Sequence, residues 1–169
     1  TIAGRNALSA GFRTAMKKQF LIVATDPSPN TRRLRERALA AVEGLGLEDT
    51  AVRLQTPEAT TARHVLDAHG LLIGTTENIG YMAGLTKDLF DRCFYEWEGK
   101  TDALPVGFYI RAGLDGTATR KALESITGGL NWRLVQPPLI LHGSWDDRFP
   151  DQVGDLAMTL AAGIDAGMY

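Results

Sequence analysis

The residues best suited to chemistry lie in one stretch, 70–92, where a buried apolar run leads into a Gly-rich segment and then into a helix. Segment 74–84 combines glycines, hydroxyls, an amide and an aromatic ring: Gly74, Thr75, Thr76, Asn78, Gly80, Tyr81, Met82 and Gly84. Ligands of open α/β sheets bind at such loops, because the strands beneath hold them still while the loops have no packing duties. We therefore expect a flat ligand that lies against backbone amides.

Metal chemistry and acid–base catalysis have little support in the sequence. The three histidines are scattered, and no Cys or carboxylate cluster stands at metal-ligand spacing. No acid–base pair is apparent either, so we name no catalytic side chain. Cys93 lies in an apolar helical segment, which indicates a buried packing thiol rather than a nucleophile.

Composition limits the class of protein. A chain of 169 residues fits one domain with a full core, and 44% hydrophobic with 22% charged residues is ordinary for a globular protein. The net charge of −2 gives no basic field for nucleic acid, and no apolar run approaches the roughly 20 residues that span a bilayer. A single cysteine fits a reducing compartment. We expect a cytoplasmic protein with neither a nucleic-acid nor a membrane partner.

The first 18 residues differ from the rest of the chain. They contain no acidic residue, carry four basic ones and begin without Met. Three explanations stay open: a targeting segment, a genuine extension, or upstream sequence before a native start at Met16. We favour the last, because residues 16–19 lead directly into an apolar strand. The expected organisation is an N-terminal extension, 1–18, followed by one domain, 19–169.

Five predicted strands alternate with helices. The strands are 20–24, 50–55, 71–74, 105–110 and 134–141, and the last is assigned to an edge because two prolines interrupt it. Apolar spacing predicts helices after each strand, including a short one at 57–68 and a last one at 151–167. The third helix should bury Leu85, Leu89, Cys93 and Trp97, and the fourth should begin at a Thr117 cap and pack Ala118, Ala122 and Ile126.

This alternation predicts an α/β fold, a three-layer αβα sandwich around a five-stranded parallel sheet. We expect the strand order 2-1-3-4-5, because it is the common doubly wound arrangement at this length. In that order the loops after strands one and three are neighbours at the switch point of the sheet. The turn at 26–31 and segment 74–84 should therefore line one pocket. Loop 111–116, after strand four, should add a third wall.

These three loops together resemble the flavodoxin-like flavoproteins, and within them the NAD(P)H-dependent FMN reductase and quinone reductase branch. Residues 74–92 are similar to that family's Gly-Thr/Ser-Pro opening, its aromatic-Gly-Asn-Met centre and its Leu-Lys-x-Phe-Leu-Asp-Arg helix. The resemblance covers most of 19–167 and implies that FMN binds with its isoalloxazine ring on segment 74–84. The residues it implies for the ring are Thr75, Thr76, Asn78, Ile79, Gly80 and Met82, with Arg111, Ala112 and Gly113 at the far edge.

The first loop departs from the family's phosphate pattern, Ser/Thr-x-Ser/Thr-Gly-x-Thr/Ser. The phosphate contacts that the resemblance implies are Ser28, Asn30 and Thr31. However, Asp26 replaces a hydroxyl, and Pro29 replaces the Gly and removes one N–H donor. A carboxylate about 5 Å from a phosphate costs about 3 kcal/mol per unit charge at a dielectric near 20, roughly a hundredfold in affinity. Arg32 or Arg33 could offset that cost. Asp26 could instead bond only its own turn.

The function that the resemblance implies is an FMN-binding enzyme that passes reducing equivalents from NAD(P)H to a quinone, a free flavin or a similar small molecule. It also implies a homo-dimer or tetramer, since these reductases often complete the flavin site between subunits. Two alternatives stay open: a flavodoxin-type electron carrier, and a flavodoxin-like domain with weak or lost FMN binding that serves as a binding or structural module. A Rossmann-type dinucleotide site is set aside, because no G-x-G-x-x-G follows strand one.

Overall fold

A computed structural model describes residues 16–169, and a parallel sheet runs through their centre. The strands are β1 (Lys18–Ala24), β2 (Thr50–Gln55), β3 (Gly70–Asn78), β4 (Tyr81–Met82), β5 (Pro105–Ala112), β6 (Arg133–Leu134) and β7 (Leu139–His142). The helices are α1 (Pro29–Glu43), α2 (Ala62–Leu66), α3 (Gly84–Trp97), α4 (Thr117–Gly129) and α5 (Phe149–Asp165). The N-terminal residues 1–15, including the segment before Met16, lie outside the described residues.

The strands are ordered β2-β1-β3-β5, with β6 and β7 both pairing with β5 further along, and all of these pairs are parallel. Because the short β4 is an antiparallel addition to the end of β3, this is the predicted order 2-1-3-4-5. The predicted fold class is therefore confirmed. It places the carboxyl ends of β1 and β3 side by side, where their crossovers leave in opposite directions.

Each strand sends alternate side chains to two cores. Phe20 and Ile22 pack with α1 and α5 on one face of the sheet, and Leu21 and Val23 pack with α2, α3 and α4 on the other. The continuous apolar run of β1 is the consequence, since both faces of a central parallel strand are covered. The second core holds Trp97, whose indole nitrogen donates a hydrogen bond to the Ala62 carbonyl at 3.0 Å.

Two predicted strands were wrong in extent. β3 continues to Asn78 instead of ending at Gly74, because its last residues pair with β5 and then turn back into β4. The predicted strand 134–141 is two short pieces, β6 and β7, because Pro137 and Pro138 cannot donate to a ladder. The predicted helix 57–68 covers only Ala62–Leu66, since residues 57–60 form a turn closed by the Thr60 amide on the Pro57 carbonyl at 3.1 Å.

Two predicted helix faces also needed correction. Leu85 is half exposed, so α3 buries Leu89, Cys93 and Trp97 without it. α4 buries Thr119, Leu123 and Thr127 along one line, leaves Ala118 exposed and half-buries Ala122 and Ile126. Thr117 does not cap α4; its amide instead donates to the Asp115 carboxylate at 3.0 Å. In both helices, apolar or small residues recur at spacings of three as well as four, so more than one face could have been buried. The packing against the sheet buries the face next to the predicted one.

The described residues include no helix that is long and apolar enough to cross a membrane.

Cys93, the only cysteine of the chain, should be unreactive in the folded protein. Burial on α3 raises the pKa of its thiol, so the nucleophilic thiolate is scarce at neutral pH. We expect iodoacetamide at pH 8 to label Cys93 at least about tenfold more slowly in native protein than in urea, as followed by intact mass. Equal rates in the two states would contradict this assignment.

Candidate functional site

The candidate site is a cleft at the carboxyl ends of β1 and β3. Its volume is about 170 Å³, and the residues that line it are Thr25, Asp26, Pro27, Glu58, Asn78, Ala83, Gly84 and Leu85. The structure thus brings together the loops after the first and third strands, as the sequence predicted. The third wall is Glu58, which precedes α2, and loop 111–116 contributes no lining residue.

The loop after β1 is closed by its own hydrogen bonds. Ser28 is the N-cap of α1: its hydroxyl accepts from the Thr31 amide at 3.2 Å, and the Thr31 hydroxyl accepts from the Ser28 amide at 3.0 Å. This reciprocal capping box occupies two of the donors that could face a ligand. Pro27 and Pro29 supply none, because proline has no N–H. Two of the three predicted phosphate contacts, Ser28 and Thr31, are therefore hydrogen-bonded to each other.

Cations surround the Asp26 carboxylate on the α1 side of this loop. Its Oδ2 lies 3.8 Å from Arg32 Nε and 3.7 Å from Arg35 Nη2, which is beyond hydrogen-bond distance. Arg33 points elsewhere: its guanidinium is 3.6 Å from an Asp147 carboxylate oxygen and 5.2 Å from the centre of the Trp145 ring. The charge near Asp26 thus comes from Arg32 and Arg35 rather than from Arg32 and Arg33.

Sequence reasoning missed Arg35. It lies on the second turn of α1, and helical side chains point back toward the helix N-terminus, a direction that could have indicated its reach. Its Nη1 donates to the Ala24 carbonyl at 3.3 Å, and its Nε is buried with no hydrogen-bond partner among residues 16–169. The Arg35 guanidinium therefore has at least one N–H donor that no residue of 16–169 uses.

The segment after β3 is a hairpin rather than a loose loop. Asn78 pairs with Tyr81 across a two-residue turn, Ile79-Gly80, whose φ angles of 52° and 73° are both left-handed. Such a turn suits the twist of two antiparallel strands, but Ile is a β-branched residue that rarely adopts this conformation. Ile79 is also fully exposed. The tip of the hairpin therefore holds an apolar side chain in solvent at a cost in stability.

The two threonines before the turn support the hairpin from inside. Thr75 shares a hydrogen bond with the Thr86 hydroxyl at 2.9 Å and accepts from the Ala83 amide at 3.3 Å, and Thr76 donates to the Asn78 amide oxygen at 2.9 Å. Both side chains are buried. Their predicted contact with a ring, like that of Asn78, Ile79, Gly80 and Met82, stays a prediction. What the structure gives them is a role in fixing β3, β4 and the start of α3.

Loop 111–116 is separate from the cleft. The Arg111 guanidinium donates to the carbonyls of Ala112, Leu141 and Gly143 at 2.6–3.0 Å and lies 5.3 Å from the centre of the Phe149 ring. It thus holds the ends of β5 and β7 together. The Ala112 side chain is buried, and Gly113 is exposed at the surface. The predicted contacts of Arg111, Ala112 and Gly113 with a ring edge stay predictions, and the Arg111 side chain is committed to the fold.

Glu58 is a second cleft residue that the sequence did not indicate. Arg92 on α3 fixes its position, because Nη2 donates to the Pro57 carbonyl at 2.9 Å and Nη1 to the Thr60 carbonyl at 3.0 Å. Arg92 of the α3 motif therefore anchors the loop that precedes α2. The cleft carries two carboxylates, Asp26 and Glu58, and no described group of His, Cys, Asp and Glu residues is arranged to hold a metal ion.

No family model and no curated protein matches this chain. Solved structures do match, at 12% sequence identity. An archaeal flavodoxin has a TM-score of 0.73 over 86% of this chain and 98% of its own. A WrbA-like flavodoxin protein from Agrobacterium tumefaciens has 0.69 over 89% and 99%, and the flavodiiron protein from Giardia intestinalis has 0.73 over 89% and 37%. The fold of this chain is therefore flavodoxin-like.

Gly74 should tolerate no side chain. A Cβ there would overlap the Tyr109 ring, which lies across Gly74 from the neighbouring strand, whereas a Cβ at Gly84 would meet nothing within 4 Å. We expect Gly74→Ala to lower the free energy of unfolding by about 2 kcal/mol or more, and the control Gly84→Ala to change it by less than about 0.5 kcal/mol. Urea unfolding measures both, and equal small effects would contradict the packing.

Ile79→Asn should stabilise the protein, because Asn adopts a left-handed backbone more easily than a β-branched residue. The expected gain is about 1 kcal/mol, or a rise in Tm of roughly 2–4 °C. Leu114→Asn is the matched control, since Leu114 is also exposed and apolar but has no left-handed φ. An equal gain in both variants would mean that replacing any exposed apolar side chain stabilises the protein. A loss of stability in Ile79→Asn would contradict backbone strain at Ile79.

Proposed function

We propose that this chain is an FMN-binding flavoprotein, an NAD(P)H-dependent oxidoreductase that reduces a quinone, a free flavin or a similar small acceptor. The observation that carries the proposal is the meeting of two loops in one cleft at the switch point of a flavodoxin-like sheet. One loop begins α1 and the other, a rigid hairpin, leads into α3. The similar structures, a flavodoxin, a WrbA-like flavodoxin protein and a flavodiiron protein, support a flavin-binding role.

The residues present fit an anionic flavin in two respects. Both helices that begin at the cleft, α1 and α3, have no acidic residue in their first turn, so the partial positive charge at each N-terminus is not neutralised there. Arg32 and Arg35 add full charges beside α1, and the buried Arg35 Nε has no hydrogen-bond partner among the described residues. The phosphate would bind at Ser28, Asn30 and Thr31, and the ring at the backbone of 76–82.

FMN supplies the redox chemistry, accepting a hydride and passing electrons on. The chain's own residues orient the ring and tune it through backbone hydrogen bonds. The Thr75, Thr86 and Ala83 network holds the hairpin in one conformation, so that its amides are already in place when a ligand arrives. No acid–base side chain is required for hydride transfer at a flavin, which agrees with the absence of such a pair in the sequence.

A homo-oligomer belongs to the same proposal. The cleft of one chain, about 170 Å³, is smaller than the roughly 300–1,000 Å³ of ordinary ligand pockets. Exposed apolar side chains lie around its rim: Ile79, Tyr81 and Leu85. A second subunit that covers this rim would enclose the ring and bury those side chains.

A second candidate function is a flavodoxin-like domain with weak or lost flavin binding that serves as a binding or structural module. The observations that favour it are the two carboxylates in the cleft, Asp26 and Glu58, and the capping box that already uses the Ser28 and Thr31 amides. A flavodoxin-type electron carrier is the third candidate. A net charge of −2 offers such a carrier little electrostatic steering toward its partners.

Titration with FMN tests the proposal. We expect purified protein to shift the visible absorption bands of FMN and to quench its fluorescence, with saturation at micromolar concentrations. If neither signal changes up to high micromolar FMN, the module without flavin is the better assignment. Sedimentation velocity on the same samples should give a dimer or tetramer, and a monomer in the presence of saturating FMN would contradict the proposed oligomer.

Steady-state turnover separates the enzyme from the carrier. We expect FMN-loaded protein to oxidise NADH or NADPH in the presence of a soluble quinone, followed at 340 nm. Free FMN at the same concentration, without protein, is the control. Tight FMN binding with no turnover above that control would favour the electron carrier.

A further inference from the structure

Asp26 is the residue of the cleft that least fits an anion site. Its carboxylate lies within the first loop, at the N-terminus of a 15-residue helix and between two guanidinium groups, Arg32 and Arg35. The partial charge of the helix and both cations favour a negative group in this place. Since the carboxylate makes only loose ion pairs of 3.7 and 3.8 Å, it neutralises this charge without the directed hydrogen bonds of a permanent structural pair.

We propose that Asp26 is an internal competitor for the ligand's phosphate: its carboxylate neutralises Arg32 and Arg35 until a phosphate takes its place, so that Asp26 sets how strongly this cleft prefers FMN over flavins without a phosphate. The inference rests on the proposed function and names its specificity-determining residue. A simple repulsive charge would act on the phosphate directly. An internal competitor acts by pairing with the same arginines that the phosphate needs.

Arg35 gives this competition its physical basis. The guanidinium is mostly buried and bonded to the Ala24 carbonyl at 3.3 Å, so it cannot move far into solvent to find another partner. Its buried Nε has no partner among residues 16–169, and neither has the buried hydroxyl of Tyr109. The Asp26 side chain is about one-quarter exposed, so it can rotate away from the arginines into solvent. The Arg35 guanidinium then stays in place and can donate to a phosphate.

A phosphate dianion has a geometric advantage over the carboxylate. It offers three oxygens and two charges, so it can accept from Arg32, Arg35 and the Asn30 amide together. The cost is that Asp26, once displaced, remains a negative charge a few ångströms away. Riboflavin has no phosphate and leaves the Asp26 pairs intact. The ratio of the two flavins' affinities therefore isolates the effect.

The test compares the dissociation constants of FMN and riboflavin, by fluorescence quenching, for wild type, Asp26→Asn and Glu58→Gln. We expect Asp26→Asn to tighten FMN binding about tenfold or more and to leave riboflavin within about twofold, because only the phosphate competes with the carboxylate. Glu58→Gln is the matched control, because Glu58 is another cleft carboxylate and forms no ion pair with an arginine of residues 16–169; it should change the ratio much less. An equal gain at Glu58 would assign the effect to the general field of the cleft and overturn the proposal.

A second arm checks the role of the arginines. Arg32→Gln should weaken FMN more in the Asp26→Asn background than in wild type, because Asp26 no longer occupies the cation there. Additive effects would contradict competition. Arg37→Gln controls for charge on α1, since Arg37 pairs with Asp151 on α5 instead.

Inorganic phosphate provides a readout that needs no flavin. At matched ionic strength, sodium phosphate should raise the Tm of Asp26→Asn more than that of wild type, relative to sodium chloride. If both flavins bind and Asp26→Asn leaves their ratio unchanged, this inference is wrong and the proposed function stands. If neither flavin binds either protein, the proposed function is wrong, and an unaltered phosphate effect on Tm would then overturn the anion site as well.

Discussion

The site depends on one row of residues across the three central strands. Ala24 of β1, Gly74 of β3 and Tyr109 of β5 stand in register, and the Tyr109 ring occupies the space that a side chain at Gly74 would need. The backbone ladder sets the spacing of these strands, and the Tyr109 ring covers the face of the sheet over Gly74. Immediately above the row, the Thr25 amide donates to the Gly74 carbonyl at 3.1 Å, and the Arg35 guanidinium holds the Ala24 carbonyl. The first loop thus leaves the sheet from a point that is fixed to β3, and β3 itself continues to the hairpin at Asn78.

Different interactions fix the two sides of the cleft: hydrogen bonds in the hairpin and ion pairs in the first loop. The hairpin side is held by buried hydrogen bonds between hydroxyls and the backbone, such as those of Thr75, and these resist water and salt. On the side of the first loop the partners of Asp26 are charges at 3.7–3.8 Å, and Arg32 among them is half exposed. Charge pairs of this kind are easily rearranged, because exposed ion pairs contribute little net energy. A rigid hairpin therefore faces a loop whose charged side chains can rearrange.

Much of this arrangement could be predicted from the sequence, because hydrophobic patterns report burial directly. The apolar run of β1 and the periodic helices indicated the alternation of strands and helices. The common doubly wound order for such an alternation then placed the two loops side by side. The residues that sequence reasoning missed are those whose role depends on the direction of a side chain or on the position of a loop. Arg35 looks like a solvated helix residue until the direction of its side chain is known, and Glu58 enters the cleft only because Arg92 holds the preceding carbonyl. The exact stripe buried by α4 depended on packing that periodicity alone does not define.

The first loop offers an anion mainly electrostatic attraction, whereas a Gly-rich phosphate loop offers mainly backbone hydrogen bonds. A Gly-rich phosphate loop binds through several directed backbone amides, but here Pro27 and Pro29 have none, and the amides of Ser28 and Thr31 are used in the capping box. What remains is mainly the charge of the helix terminus and of two arginines. Attraction of this kind is long-ranged and screened by salt, whereas amide hydrogen bonds are short-ranged and specific. Under the proposed function, a phosphate in this place would be selected by its charge more than by its shape, and a single carboxylate in the same loop would govern the selection.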